Sequence, residues 1–106
     1  PIYDAETADA MAQATHAMAI PLIMGILPLR TARHADFLHQ KVAGIAVPGK
    51  LRGLMHRTDD TIKTGNLNAR EMLAVARERF AGACIMPPFD HYEVLEDILD
   101  FDFDTA

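Results

Sequence analysis

The chain has 106 residues, half of them apolar, with a net charge of -5 and a pI near 5.4. That composition describes one globular domain at most, and scattered Lys and Arg on an acidic chain argue against a nucleic-acid surface, which needs concentrated cations to displace phosphate counterions. The apolar runs within residues 17–29 are broken by Pro and Gly and fall short of the roughly 20 residues that span a bilayer, so no membrane segment is expected.

No basic region or cleavable apolar segment follows Pro1, and the single cysteine, Cys84, permits no internal disulfide; both fit a cytoplasmic setting. Residues 1–3 read as the end of a strand, and Asp4 is placed to cap a helix over residues 5–18 with Ala8, Met11, Ala12, Thr15 and Met18 as its inward stripe. Residues 22–27, entered through Pro21 and closed by Pro28, have the unbroken apolar character of a strand covered on both faces. Polar Arg30, Thr31, Arg33 and His34 follow at once, where loops at the carboxyl ends of parallel strands form ligand sites.

A helix from about Thr31 to Val42 should turn Ala35, Leu38 and Val42 inward, and Gly44 should loosen the connector over residues 43–47. Pro48 suits the start of a short helix over residues 50–56, with Leu51, Leu54 and Met55 inward. Residues 58–66 are polar and turn-rich, and Asn68 is placed to cap a helix over residues 69–80 with Met72, Leu73, Ala76 and Phe80 facing the core. Gly82 opens a second apolar run, residues 83–86, stopped by Pro87 and Pro88; a last helix is expected from about His91 to Leu99, before an acidic, frayed end.

Strands that alternate with helices imply parallel βαβ units. Two whole strands leave two unpaired edges, whereas short buried parallel strands belong to sheets of several, so an α/β fold as the C-terminal piece of a larger domain is expected.

Three stretches carry a more specific likeness. GILPLRTARHADFLH (residues 25–39), VAGIAVP (residues 42–48) and GACIMPPFDHYE (residues 82–93) together resemble the C-terminal part of methylenetetrahydrofolate reductase, and PIYD (residues 1–4) resembles the end of the preceding barrel strand. The pattern looks closest to the reductase half of bacterial bifunctional proteins that also carry a homocysteine S-methyltransferase domain. It runs in order along nearly the whole chain, with residues 58–66 contributing nothing.

The resemblance implies the C-terminal portion, under half, of a (βα)8 TIM barrel, a fold of roughly 250 residues. It implies a flavoenzyme that uses FAD and NAD(P)H to reduce methylenetetrahydrofolate to methyltetrahydrofolate for methionine synthesis. By position, His34 and Leu38 would lie over the flavin face where nicotinamide and folate bind in turn, Leu38 standing where some relatives have an aromatic residue. Relatives commonly read PPF-Gly-Arg-Tyr-Glu near the last strand; here His91 takes the arginine's place as a weaker, pH-dependent cation for the folate tail, with Asp90 beside it. The proton-assisting acid, most flavin contacts and a folate-binding glutamine would lie upstream of Pro1. No catalytic residue is therefore expected in this chain, FAD and NAD(P)H are expected only in a longer parent, and the 106 residues alone should be inactive. The implied partners are a small-molecule folate and further copies in a homo-oligomer.

The remaining chemistry-bearing residues read as structural. His34 and His39 are five apart and do not share a helical face well, so no metal site is expected. His16 and His56 should face solvent, and Cys84 should be a buried, unreactive thiol. Two other classes stay open: a barrel enzyme for a phosphorylated substrate, opposed by Pro in the turns after Leu27 and Met86, and a non-catalytic module that self-associates through strand edges.

Overall fold

Three helices begin with the same device, a side-chain oxygen that accepts an otherwise orphaned amide of the first turn. Asp4 accepts from Thr7 N–H at 2.9 Å to start α1 (Ala5–Thr15), Thr31 accepts from His34 N–H at 2.9 Å to start α2 (Ala32–Lys41), and Asp60 accepts from Lys63 N–H at 3.0 Å to start α4 (Thr61–Arg79). Between the last two, α3 (Gly49–Arg57) follows Pro48 without a side-chain cap. Strand β1 (Ile23–Ile26) lies between α1 and α2; β2 (Gly82–Ile85) and α5 (Val94–Asp104) follow α4. The computed structural model describes residues 1–88 and 91–104, with side chains as far as residue 99.

The strands pair in parallel, with Ile23 opposite Gly82, Met24 opposite Ala83, Gly25 opposite Cys84 and Ile26 opposite Ile85. Ala81 N–H to the Leu22 carbonyl and Met86 N–H to the Ile26 carbonyl, both 2.8 Å, extend the ladder at its two ends. The α/β character expected from the sequence is therefore present, as a small helix-rich unit around a two-stranded parallel sheet. Residues 1–3 form no strand, but Ile2 N–H donates to the Gly25 carbonyl at 3.3 Å, so they lie along β1.

The sheet is covered on one face. Met24 and Ile26 are buried against Ala8 of α1, Ala69, Met72 and Ala76 of α4, and Val94 and Ile98 of α5. On the other face Ile23 is 66 % exposed and Cys84 is exposed. This corrects two expectations, coverage on both faces and a buried Cys84: side chains alternate along a strand, and all the packed helices lie on the Met24 side. A second core, Tyr3, Leu29, Ala35, Leu38, Val47 and Met55, fills the space under α2 and α3.

The stretch 58–66 departs most from its sequence reading. Asp60, not Asn68, caps the helix, and α4 runs unbroken from Thr61 through the polar residues, because Gly65 and Asn66 are buried in it. A Cβ at Gly65 would fall far inside contact distance of the Leu29 carbonyl oxygen, so glycine is what lets α4 lie against the end of β1. Asn68 instead donates from Nδ2 to the Tyr3 carbonyl at 3.0 Å. α1 stops at Thr15 and passes through a 3-10 turn (His16–Met18) into left-handed Ala19 at φ 53°, which leaves Met11 and Met18 of the expected stripe exposed. Leu54, expected inward, is exposed too. The last helix begins at Val94 rather than His91 and continues to Asp104, through the end expected to fray. It is held to α4 by Asp97, which accepts from Asn66 Nδ2 at 2.9 Å and forms an ion pair with Arg70.

Candidate functional site

Parallel pairing delivers the C-terminal ends of β1 and β2 to the same end of the sheet, so two segments far apart in sequence leave it side by side. The β1 exit carries Arg30, Thr31 and His34; the β2 exit carries His91 and Glu93.

His34 is half-buried at the first turn of α2, and its Nδ1 accepts from Arg30 N–H at 3.3 Å. Burial chiefly, and then the Arg30 charge, hold its pKa below the ordinary histidine value, and with Nδ1 accepting, the neutral ring carries its proton on Nε2. His91 Nδ1 lies 2.9 Å from Glu93 Oε1. The Glu93 carboxyl is held below its usual range, first by a hydrogen bond from its own backbone amide, then by the His91 hydrogen bond and the charges of His91 and Arg30. Arg30 contributes to both shifts, second to burial at His34 and as the smallest cause at Glu93. Phe89 and Asp90 lie outside the described residues.

Leu38 is placed elsewhere. It is 6 % exposed in the core with Tyr3, Leu29, Ala35, Val47 and Met55, packed against protein rather than turned to the strand exits. The helical turn carries position 38 toward α3 while Phe37, one residue earlier, points outward at 55 % exposure. Phe37, Thr31, Arg33 and His34 line an open depression of about 260 Å³. The signal for Phe37 was its spacing of three from His34 and four from Arg33, which sets all three on one face.

Other histidines hold the scaffold. His39 Nδ1 accepts from Val47 N–H at 3.1 Å, and His56 Nε2 lies 2.7 Å from Asp36 Oδ2, joining α2 to α3. Among the described residues no group of three His, Cys, Asp or Glu side chains could hold a metal ion, and no helix is long and apolar enough to cross a membrane. A larger cavity of about 460 Å³ lies apart from the strand exits, between Asp4, Leu51, Leu54 and Met72.

Comparison with protein-family models, with curated proteins and with solved structures gives no match. The functional reading therefore starts from the residues at the strand exits.

Proposed function

We propose that this chain is the C-terminal portion, under half, of a (βα)8 barrel in a flavin-dependent methylenetetrahydrofolate reductase, contributing part of its folate-facing end. The observation that carries the reading is the meeting of the two motif-bearing segments at one end of a parallel sheet. Ligands of parallel α/β folds bind at that end. A sheet with helices on one face and the Ile23–Cys84 face open suits a barrel stave, whose inner face is packed by the other strands.

Arg30 supplies positive charge for an anionic folate tail, His91 stands where relatives place the folate-facing arginine, and His34 has its ring oriented by the Arg30 amide. The described residues offer an edge for a planar ring but no enclosing cradle for a flavin, so the hydride chemistry that FAD would supply is assigned to the longer parent and no step is derived from this chain.

Flavin titration tests the reading. A longer protein that includes the upstream strands should be yellow and hold one flavin per chain, while the 106 residues alone should be colourless. Stoichiometric flavin on the short chain, or none on the long one, would overturn it. A second reading, a self-associating module without catalysis, is favoured by the exposed Ile23 on the open face. A flavin-free long protein that dimerises tightly would decide for it.

A further inference from the structure

Helical spacing puts Leu51, Leu54 and Met55 on one stripe of α3, yet only Met55 is fully buried and Leu54 is 44 % exposed. Leu51 and Leu54 instead line, with Met72 and Val75 of α4, the open cavity of about 460 Å³. That volume lies within the roughly 300 to 1,000 Å³ of small-molecule sites, whose lining is mostly apolar with a few convergent polar groups.

Three charged side chains share the lining, each from a different element: Lys50 from α3, Glu71 from α4 and Asp4 from the cap of α1. Lys50 and Glu71 enter no ion pair with each other or with any other described residue. Asp4 commits only Oδ1, to Thr7 N–H at 2.9 Å, which leaves Oδ2 for a ligand. The other polar side chains of the lining are engaged with protein, Asn68 donating to the Tyr3 carbonyl and the Tyr3 hydroxyl to the Leu27 carbonyl. A cation and two carboxylates therefore surround apolar surface. A ligand with one sign of charge would meet repulsion from the opposite wall, whereas an apolar body that carries both an ammonium and a carboxylate complements every charged group present.

We propose that this cavity binds a free α-amino acid with an apolar side chain, its carboxylate at Lys50, its ammonium at Glu71 and Asp4, and its side chain against Leu51, Leu54, Met72 and Val75. The cavity lies apart from the strand exits, and the proposal stands or falls independently of the reductase reading. Filling the cavity also takes Leu54 out of water, so the ligand should raise the melting temperature.

The test titrates the 106-residue chain with L-leucine and follows backbone amide resonances. Saturable shifts should centre on Lys50, Leu51, Leu54, Glu71 and Val75. Isocaproic acid, which lacks the ammonium, and leucinamide, which lacks the carboxylate, should each bind about tenfold more weakly, the loss expected for one charge-assisted hydrogen bond. Lys50→Met should weaken leucine binding by the same factor and leave leucinamide unchanged, while Glu71→Gln should weaken leucine and leave isocaproic acid unchanged. Both side chains are exposed, and thermal melts without ligand confirm that the variants fold. Absence of saturable shifts overturns the proposal, as does unchanged leucine affinity in the two variants. Isocaproic acid that binds as tightly as leucine overturns it as well, since the cavity would then take apolar acids in general. Shifts at these residues that follow protein concentration rather than leucine would make the cavity an interface between copies and likewise overturn it.

Discussion

The Tyr3 hydroxyl donates to the Leu27 carbonyl at 2.8 Å, tying the first residues of the chain to the exit of β1 across 24 positions. Tyr3→Phe removes that donor and leaves a partly buried carbonyl unpaired, which should cost about 1 kcal/mol in urea unfolding at neutral pH. Burial also pushes the Tyr3 phenol well above its ordinary value. A group raised on folding stabilises fully below its unfolded pKa and loses that contribution as pH rises, so the native chain should weaken above about pH 10 more steeply than Tyr3→Phe. Parallel urea curves at pH 7 and about pH 10.5 give the comparison.

Gly65 and Gly82 should differ in their tolerance of alanine. Alanine favours a helix over glycine by about 1 kcal/mol, but at position 65 its Cβ would collide with the backbone oxygen of Leu29, which cannot swing aside as a side chain would. Gly65→Ala should therefore lower the melting temperature sharply or prevent folding. Gly82→Ala, where an added Cβ meets nothing within 4 Å, should leave it nearly unchanged.

His34 predicts a loss of stability in mild acid. Its pKa is lowered on folding, by burial first and the Arg30 charge second, so the unfolded chain binds the proton more readily. The contribution is fully present above the ordinary histidine value of about 6.5 and is lost as pH falls below it. His34→Gln, which retains an acceptor but does not titrate, should flatten the melting profile between about pH 7 and pH 5. An unchanged profile would show that other groups set the acid response.

Leu38→Ala and Phe37→Ala should separate core from surface. Truncating buried Leu38 should cost about 2–5 kcal/mol of stability, whereas exposed Phe37 should cost under about 1 kcal/mol. Chemical denaturation of both variants reads this directly, and the reverse order would return Leu38 to the ligand side.

The open sheet face should drive association. With Ile23 exposed and β1 and β2 forming a two-stranded sheet among the described residues, the isolated chain should self-associate at high concentration, and Ile23→Lys should reduce this. Sedimentation of the native chain as a monomer, with a sharp cooperative melt, would contradict it.

Much of the fold was legible because it rests on local signals. Asp4 and Thr31 are followed by helical periodicity, and Pro21, Pro28 and Pro87 bracket the two apolar runs that pair as β1 and β2. What was missed depends on partners distant in sequence. Residues 58–66 look like a turn because Gly65 and Asn66 are poor helix formers, yet Leu29 and Asp97 supply the close approach and the hydrogen bond that make them fit in α4. An unbroken apolar run also fails to distinguish a strand packed on both faces from one whose second face is open, which is why the exposure of Ile23 and Cys84 could not be read from it. Beside the β1 exit, which of Phe37 and Leu38 is exposed depended on the rotation of α2, and one residue of helix is about 100°.

Alternation along the two strands divides their tolerance to substitution. In a saturation library, Met24 and Ile26 should accept only residues of similar volume, since each sits in a filled space between helices. Ile23 and Cys84, which meet water, should accept almost anything, polar residues included. Selecting the same library for solubility in a longer chain would test the second set afresh: wherever added strands come to rest, positions that were permissive become restrictive. The footprint of a missing neighbour could thus be mapped by genetics, position by position, without observing that neighbour.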